Sequence, residues 1–463
     1  MATTIKLPPR PPDEVVAQWD PATRVYVEAL EAVLRQLIDK VEAHDKALRE
    51  SKRQATPFRR DKRKKKRKKP GRKKGHARER RADVDHADEE HHAEPPASCP
   101  CCGGQHVEED HSYEQLQEDL EIRRVVRRLV IHVGRCQDCG AVTEGRHPFQ
   151  TSRARGAAAH QIDPTALALA AHLHYQQGVP FEKMAHVLDQ LGLTVSKAAL
   201  VRAMHRIADR AEEPFQELLH KVLEQEVLHI DETGWSLDGQ PHYLWVLTGR
   251  DATVYFVRKT RSGDEVEDFL TDFKGVLVTD GHRGYDRIGK RLLRALCHLH
   301  LKRNFKELEK KTQHRGKALA RDLMWWVDEV IAVVGMRNDE LDDEEFKQLA
   351  ADLEAQFFEI LDTQPTNAAN ARMVKRLLTW QDAVLRCLRV PGVPATNNQA
   401  EQQIRPAVVV RKRGGCNRSE RGARTFERLA SIAATRAQHG LSVMDWIKRL
   451  LCSSGPEPIP LLL

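Results

Sequence analysis

Apolar positions from Val27 step by three and four through Leu30, Leu34, Leu37 and Val41, with His44 and Leu48 keeping the count and Glu, Arg and Lys between them. That spacing is a heptad seam. It predicts an N-terminal helix within residues 1–50 that self-associates as a coiled coil, the favoured use, or packs singly on the body. His44 on the seam lowers the expected stability. The pattern then stops. Residues 51–95 carry Pro57, Pro70, Pro95 and Pro96 and almost no large apolar side chain, so nothing there offsets the entropy of ordering. A disordered basic linker is expected. Apolar positions resume at Leu120, Ile122, Val125, Val126, Leu129, Val130, Ile131 and Val133, which read as strands of a long hairpin.

Between residues 164 and 210 the period becomes helical in three runs, PTALALAAHLHYQQGVP, FEKMAHVLDQLGLTVS and KAALVRAMHRIADRAEEP. Gly178-Val179-Pro180 and Gly192-Leu193-Thr194 end the first two, and Ser196 is placed to cap the third. Lys197, Arg202 and Arg206 on that third helix suit a groove-reading role. A helix-turn-helix over 155–220 and plain helical packing on the next domain stand level, because helix-turn spacing is common. From residue 226 strands take over: EVLHIDETGWSL, HYLWVLTG and ATVYFVRKT, then a helix in SGDEVEDFLTDF, then a buried strand in GVLVTDGHRGYD. The pattern predicts a β-meander, a helix and a further strand of one sheet.

At 463 residues the chain has room for two to four folded units. With 40% apolar residues and a mean hydropathy of −0.57 it builds ordinary cores. It offers no run of about 18 apolar residues able to span a bilayer, so a soluble protein is expected. The N-terminus lacks the basic-apolar-small order of a secretory signal, which implies a reducing compartment and leaves the nine cysteines as thiols or metal ligands. Net charge is +8, yet residues 59–74 hold thirteen basic residues and one Asp, or +12, and the remainder sums to −4. The basic character therefore sits in one segment, and DNA is the first candidate partner. Within it Lys64, Lys65, Lys66, Arg67, Lys68 and Lys69 are candidate phosphate contacts, each neutralised phosphate contributing a salt slope of about −0.9 and no sequence information.

Cys99-Pro-Cys101-Cys102-Gly103 and Cys136-Gln-Asp-Cys139-Gly140 are two C-x-x-C knuckles, each with Gly after its last Cys, separated by 33 residues. Four thiolates, Cys99, Cys102, Cys136 and Cys139, suit one structural Zn²⁺ in a zinc ribbon over 96–150. Cys101 could replace Cys99. Asp231 lies inside the first strand of the meander and Asp280 closes the strand Val276-Leu277-Val278. Strands one and four of such a sheet can lie side by side, placing both carboxylates where they repel unless protonated or bridged by Mg²⁺ or Mn²⁺. A third carboxylate is expected on a helix, and Glu401 supplies it in TNNQAEQQIRP. There Thr396 is placed to cap, Glu401 and Arg405 share a face, and Pro406 argues against a long uninterrupted helix. Arg411, Lys412, Arg413, Arg418, Arg421 and Arg424 follow, a backbone-tracking surface beside the site.

HIDETGWSLDGQPHYLWV, DFKGVLVTDGHRGYD, CHLHLKRNF and NNQAEQQIRP, in this order after two C-x-x-C knuckles and KPGRKKGH, resemble the transposases of the insertion sequence sixty-six family over nearly the whole chain. The resemblance implies a multidomain protein. An α/β ribonuclease-H-like, retroviral-integrase-like catalytic domain would span 221–455 with a helical insertion at about 290–395, preceded by coiled coil, linker, zinc ribbon and helix-turn-helix-like domain. It implies a DDE triad of Asp231, Asp280 and Glu401 holding two Mg²⁺ or Mn²⁺ ions; Arg405, Arg411, Lys412 and Arg413 are the adjoining DNA candidates by their charge. It further implies element inverted repeats and target DNA as partners, a homo-oligomer, accessory transposition proteins beside some members, no membrane, and a prokaryotic cytoplasm. Cys297 and His300 match the family's C-x-x-H element and read as a structural pair at the edge of the core. Two departures stand out: Thr396 where Asp is usual, and Arg411-Lys412-Arg413-Gly414-Gly415 in place of a segment richer in aromatics. The rival readings are a nuclease of the same fold without strand transfer and a non-enzymatic DNA-binding repressor.

Overall fold

The computed structural model describes residues 86–119, 122–150, 153–156, 161–286, 292–313, 316–337, 341–365, 367–453 and 460–461, with scattered positions between 16 and 36. The basic segment 59–74, with Lys64 to Lys69, lies outside the described residues, as do Leu37, Val41, His44 and Leu48 of the heptad seam. The seam positions Val27, Leu30 and Leu34 are helical.

The chain divides into two units, residues 59–126 and the rest. The described part of the first unit carries no helix or strand. It contains the first cysteine knuckle, where Cys99 N–H donates to Gly104 O (2.8 Å), Gly103 N–H returns to Cys99 O (2.8 Å), and Gly103 takes φ +74°. In the second unit the other knuckle repeats the turn: Cys136 N–H to Ala141 O (2.8 Å), Gly140 N–H to Cys136 O (3.0 Å), Gly140 at φ +72°. Here glycine is required, because a side chain strains a left-handed backbone. The second knuckle closes an antiparallel hairpin of β1 (Val133–Arg135) and β2 (Val142–Glu144).

The long hairpin expected from Leu120 to Val133 does not form. Of the apolar residues in that run, Val133 alone among the described ones is in a strand, and Ile122, Val126 and Val130 are more than half exposed. The sequence there alternates pairs, Val125-Val126 with Arg127-Arg128, rather than single residues, so neither face of a pleated strand would be apolar.

Four helices follow: α1 (Pro164–Tyr175), α2 (Phe181–Gln190), α3 (Lys197–Arg210) and α4 (Glu212–Leu223). Asp163 caps α1 by accepting from Thr165 N–H, with Pro164 in the first turn where its missing donor costs nothing, and Ser196 caps α3 through Ala199 N–H. Lys197, Arg202 and Arg206 are exposed on α3. The opposite faces supply Leu167, Ala171, Met184, Leu200 and Ile207 to the same core that covers the sheet, so these helices pack as a layer on it.

The sheet has the order β5-β4-β3-β6-β7. β3 (Val227–Leu237), β4 (Gln240–Thr248) and β5 (Thr253–Arg258) form the expected antiparallel meander; after the short α5 (Asp264–Glu267), β6 (Val276–Thr279) and β7 (Leu293–Leu296) add in parallel beside β3. The α/β expectation is thus met, with a mixed sheet covered by helices. Side chains alternate across β6: Leu277 joins the core under α1 to α4, while Val276 and Val278 face a second core.

That second core belongs to the helices between β7 and the Glu401 segment: α6 (His298–Lys311), α7 (Gly316–Met336), α8 (Asp343–Asp362), α9 (Ala368–Thr379) and α10 (Gln381–Arg389). They pack around Trp326, whose indole donates to Leu353 O (2.7 Å), and Phe357. The chain then returns to the sheet in α11 (Asn398–Gly414), α12 (Glu420–Gln438) and α13 (Val443–Cys452).

α12 covers the edge strand. Val257 N–H donates to Glu427 Oε1 (2.6 Å), Tyr255 N–H to Ser431 Oγ (2.9 Å) and Thr253 N–H to Thr435 Oγ1 (3.0 Å). These acceptors sit four residues apart on one helix face and meet donors two apart on the strand. They satisfy the edge amides that would otherwise recruit another strand.

Candidate active site

His229 pairs with Val278 in the parallel ladder of β3 and β6, and Asp231 and Asp280 each stand two residues beyond that pair. The register sets Asp231, inside β3, beside Asp280 at the end of β6, as expected for strands one and four side by side. Asp280 closes β6 in a turn, its Oδ1 accepting His282 N–H (2.8 Å). The turn is fixed from below by buried Arg294 on β7, which donates to Thr279 Oγ1 (2.8 Å), to Asp280 O (2.9 Å) and to Asp286 Oδ1 (2.8 Å). Burial lowers the Arg294 guanidinium from its ordinary value, with Asp286 opposing.

Glu401 arrives on α11, and the start of that helix ties three elements together. Asn397 precedes it, fully buried: its Nδ2 donates to Ile230 O on β3 (2.8 Å), and its Oδ1 meets His229 Nδ1 (3.0 Å). With Nδ2 spent on a carbonyl, Oδ1 is the acceptor and His229 Nδ1 carries the hydrogen. Asn397 N–H in turn donates to Cys297 Sγ (3.2 Å), just before α6. Asn397, rather than Thr396, is therefore the cap position of α11, and its side chain is used across the fold instead of on the helix. The expected break at Pro406 is absent. α11 runs 17 residues through it, because the proline removes one N–H while Ile404, Ala407, Val408 and Val410 are buried on both sides of it.

The acids interact. Burial raises Asp231 to about 8, with Glu232, Asp280 and Glu401 adding to the rise and Glu232 N–H (3.0 Å) opposing it. Glu401 Oε1 is buried without a hydrogen-bond partner, 3.8 Å from His300 Nδ1 and 3.7 Å from Arg303 Nη2. Its described ion-pair partners are these α6 residues and not Arg405, which points to solvent. The C-x-x-H pair thus splits: Cys297 is buried against Asn397, while His300 faces the third acid. Arg303 Nη1 donates to His300 Nε2 (2.8 Å), which leaves the hydrogen on Nδ1, beyond hydrogen-bond distance of Glu401. Carboxylates crowded this way, one held protonated and another with an orphaned oxygen, are a donor set that suits a hard divalent cation. Among the described residues, no group of three or more His, Cys, Asp or Glu is already gathered at metal-binding distance.

Residues 160–425, more than half of the chain, match the Transposase IS66 family and contain all three acids. The chain belongs to that family. Among curated proteins this transposase-family chain is similar to three uncharacterized proteins of Sinorhizobium fredii (strain NBRC 101917 / NGR234). It is 25% identical to y4qI over 64% of this chain and 61% of that one, and 22% identical to y4hP over 79% and 72%. Similarity to y4jD is 23% over 61% of each chain. The chain thus spans less than two thirds of the length of the first of these relatives.

Of the basic candidates in this family member, Arg405, Lys412 and Arg413 are exposed along α11, whereas Arg411 turns inward, donating to Thr233 Oγ1 (3.0 Å) and Gly234 O on β3. Burial lowers its guanidinium. In the knuckles, backbone N–H groups lower the thiols of Cys99 (from Cys101 and Cys102) and Cys136 (from Cys139 and Asp138), the electrostatics a thiolate ligand needs. Sequence reasoning passed over Glu232, Arg261, Tyr285 and Asn397. One signal was there: Glu232 follows Asp231 inside an apolar strand, and a glutamate is rarely buried unless paired. No helix among the described residues is long and apolar enough to cross a membrane.

Proposed function

We propose that this IS66-family chain is a DDE transposase, a metal-dependent phosphoryl transferase that nicks DNA at insertion-element ends and joins the freed 3′-hydroxyl to target DNA. The observation that carries the reading is the placement of the elements bearing Asp231, Asp280 and Glu401: β3 and β6 pair in parallel two residues before the two aspartates, and buried Asn397 ties the start of the Glu401 helix to Ile230 of β3. A meander followed by parallel strands, with one acid inside the first strand, a second at the end of the adjacent parallel strand and a third on a helix reached through a helical insertion, supports the ribonuclease-H-like fold for this domain. Two Mg²⁺ or Mn²⁺ ions, when bound, would activate the attacking hydroxyl and stabilise the leaving oxygen. Asp231, Asp280 and Glu401 would hold them, Asp231 giving up its proton to do so. Asn397 and Arg294 keep the acid-bearing elements in register, and His300 and Arg303 lie within ion-pair reach of Glu401. Arg405, Lys412 and Arg413 lie on the same helix as Glu401 and would track the DNA backbone.

We further propose that Cys99, Cys102, Cys136 and Cys139 hold one structural Zn²⁺. The matching turns of the two knuckles support it, and they favour Cys99 over Cys101 because Cys99 and Cys136 occupy the same place in the turn. Four thiolates leave no open position, so that module would organise the N-terminal region or bind DNA rather than catalyse. Lys64 to Lys69 would add sequence-blind phosphate contacts, and two DNA ends held together call for a homo-oligomer.

The test uses the full chain, Mg²⁺ or Mn²⁺, and duplexes carrying the element's terminal repeats. Wild type should nick and join, while Asp280→Ala should bind the duplex and cut nothing. Full cleavage by Asp280→Ala overturns the triad. Nicked but never joined products reassign the chain to a nuclease.

A further inference from the structure

Glu232 stands next to Asp231 on β3, so its side chain leaves the opposite face of the strand. The side chain is 1% exposed. A carboxylate so deeply buried needs full hydrogen bonding, and it takes the Tyr285 hydroxyl on one oxygen and Arg261 Nε on the other. Tyr285 is itself buried, and burial together with Glu232 raises its phenol far above the usual range. Arg261 is different: 41% of its side chain is exposed, so the anchored guanidinium keeps an open edge. Its Nη2 lies 3.8 Å from Asp280 Oδ2, within ion-pair reach but too far for a hydrogen bond. Burial works against the Arg261 charge, yet Glu232, Asp280 and Tyr285 outweigh it and hold the guanidinium above its ordinary value. The result is a fixed positive fork. It is tied at Nε to a buried acid, uncommitted at its outer nitrogens, and set beside one of the three acids of the centre.

We propose that Arg261 is a catalytic residue that engages a non-bridging oxygen of the scissile phosphate, and that Glu232 with Tyr285 is its positioning support. The inference rests on the phosphoryl-transfer reading and deepens it. With cations held by the acids, Asp280 no longer needs Arg261, and the two outer nitrogens face the phosphoryl group as a preorganised donor pair for the charge that develops in the transition state. A lysine cannot substitute, because a single ammonium cannot both stay on Glu232 and reach a phosphate in the fork geometry. The bonds made and broken are those of the transposition chemistry itself: a hydroxyl oxygen gives its proton to solvent and forms a bond to phosphorus, the bond from phosphorus to the 3′-oxygen breaks, that oxygen takes a proton from solvent, and Arg261 donates hydrogen bonds without exchanging a proton.

The experiment compares full-length wild type, Arg261→Ala and Arg261→Lys in two measurements. One is calorimetric titration of the metal-free protein with Mn²⁺ alone. The other is cleavage of terminal-repeat duplexes, unmodified or with sulfur at either non-bridging position of the scissile phosphate. Arg261→Ala should bind Mn²⁺ at least as tightly as wild type, since a cation beside Asp280 is gone. Its cleavage should fall about a hundredfold or more, the usual effect of removing one transition-state donor, and its discrimination between the two sulfur isomers should shrink. Arg261→Lys should not restore the rate. Cleavage by Arg261→Ala within about threefold of wild type, well under the loss expected of a missing transition-state donor, overturns the proposal, as does an unchanged isomer preference. Joint loss of Mn²⁺ binding and cleavage assigns Arg261 to the scaffold and overturns it too. A wild-type chain that cuts no unmodified duplex removes the transposase reading and this proposal together, whereas a cutting wild type with unimpaired variants removes the proposal alone.

Discussion

Replacing Asp231 with Asn should make the metal-free protein more stable while destroying its activity. The wild-type carboxyl is raised from 3.8 to about 8, chiefly by burial and then by the acids around it. Between those values the folded protein keeps the proton that the unfolded chain releases, so folding binds a proton and stability falls as pH rises. At roughly 1.4 kcal/mol per tenfold in proton affinity, about 4 kcal/mol is withheld at pH 7, and the loss levels off at roughly 6 kcal/mol above pH 8. Asparagine has nearly the same shape and does not titrate. The stability gap in favour of Asp231→Asn should therefore be about 1–2 kcal/mol at pH 5, widen to about 4 at pH 7, and stop widening above pH 8. Urea denaturation of the full chain with a chelator present, followed by tryptophan fluorescence, reads it directly. Saturating Mn²⁺ should stabilise wild type and leave the variant unmoved. A gap of equal size at pH 5 and pH 7, or a variant less stable than wild type at neutral pH, would refute the account of a buried, crowded acid.

Asn397→Ala removes the acceptor of His229 and the donor to Ile230 O, leaving buried polar groups unpaired. It should cost about 2–4 kcal/mol in denaturant titration and lower cleavage as Glu401 loses its register. Gly178 takes φ +67° with an added Cβ only 2.7 Å from Val409 Cγ1, so Gly178→Ala should destabilise by about 1–3 kcal/mol, read as a lowered midpoint of thermal unfolding. Purified protein should carry one zinc by elemental analysis, and Cys136→Ser should lose it, whereas Cys101→Ser should retain it.

The acids of the site were legible in the sequence as a set, and the residues that support them were not. Singly Asp231, Asp280 and Glu401 have ordinary readings, a strand-closing turn or a surface ion pair, and they stood out because two fall in one sheet and the third on a helix within one ordered set of motifs. Their supports were invisible for a common reason. Asn397, Arg294 and Arg261 are ordinary polar residues in their local sequence, and their roles come from partners such as Ile230, Thr279 and Glu232 on other elements. The hairpin expected from Leu120 to Val133 failed because apolar content was read without its period. Pro406 misled because a local helix rule was applied where burial on both sides of the residue outweighs one missing hydrogen bond.

Sequence by itself determined what is local: strand and helix type from residue 226 to the end of the meander and its following strand, the glycine-closed cysteine knuckles, the concentration of positive charge in residues 59–74, and the identity of three candidate acids. These follow from periodicity, backbone freedom and charge count, which act within a few residues. Tertiary structure decided which residues meet. The parallel register of β3 and β6 sets Asp231 beside Asp280, Asn397 bolts the Glu401 helix to β3, and Arg411 turns inward while its neighbours face solvent. Whether a carboxylate is a turn residue or a site residue depends on how much water it has lost and which charges share its space, and those quantities exist only once distant segments have packed.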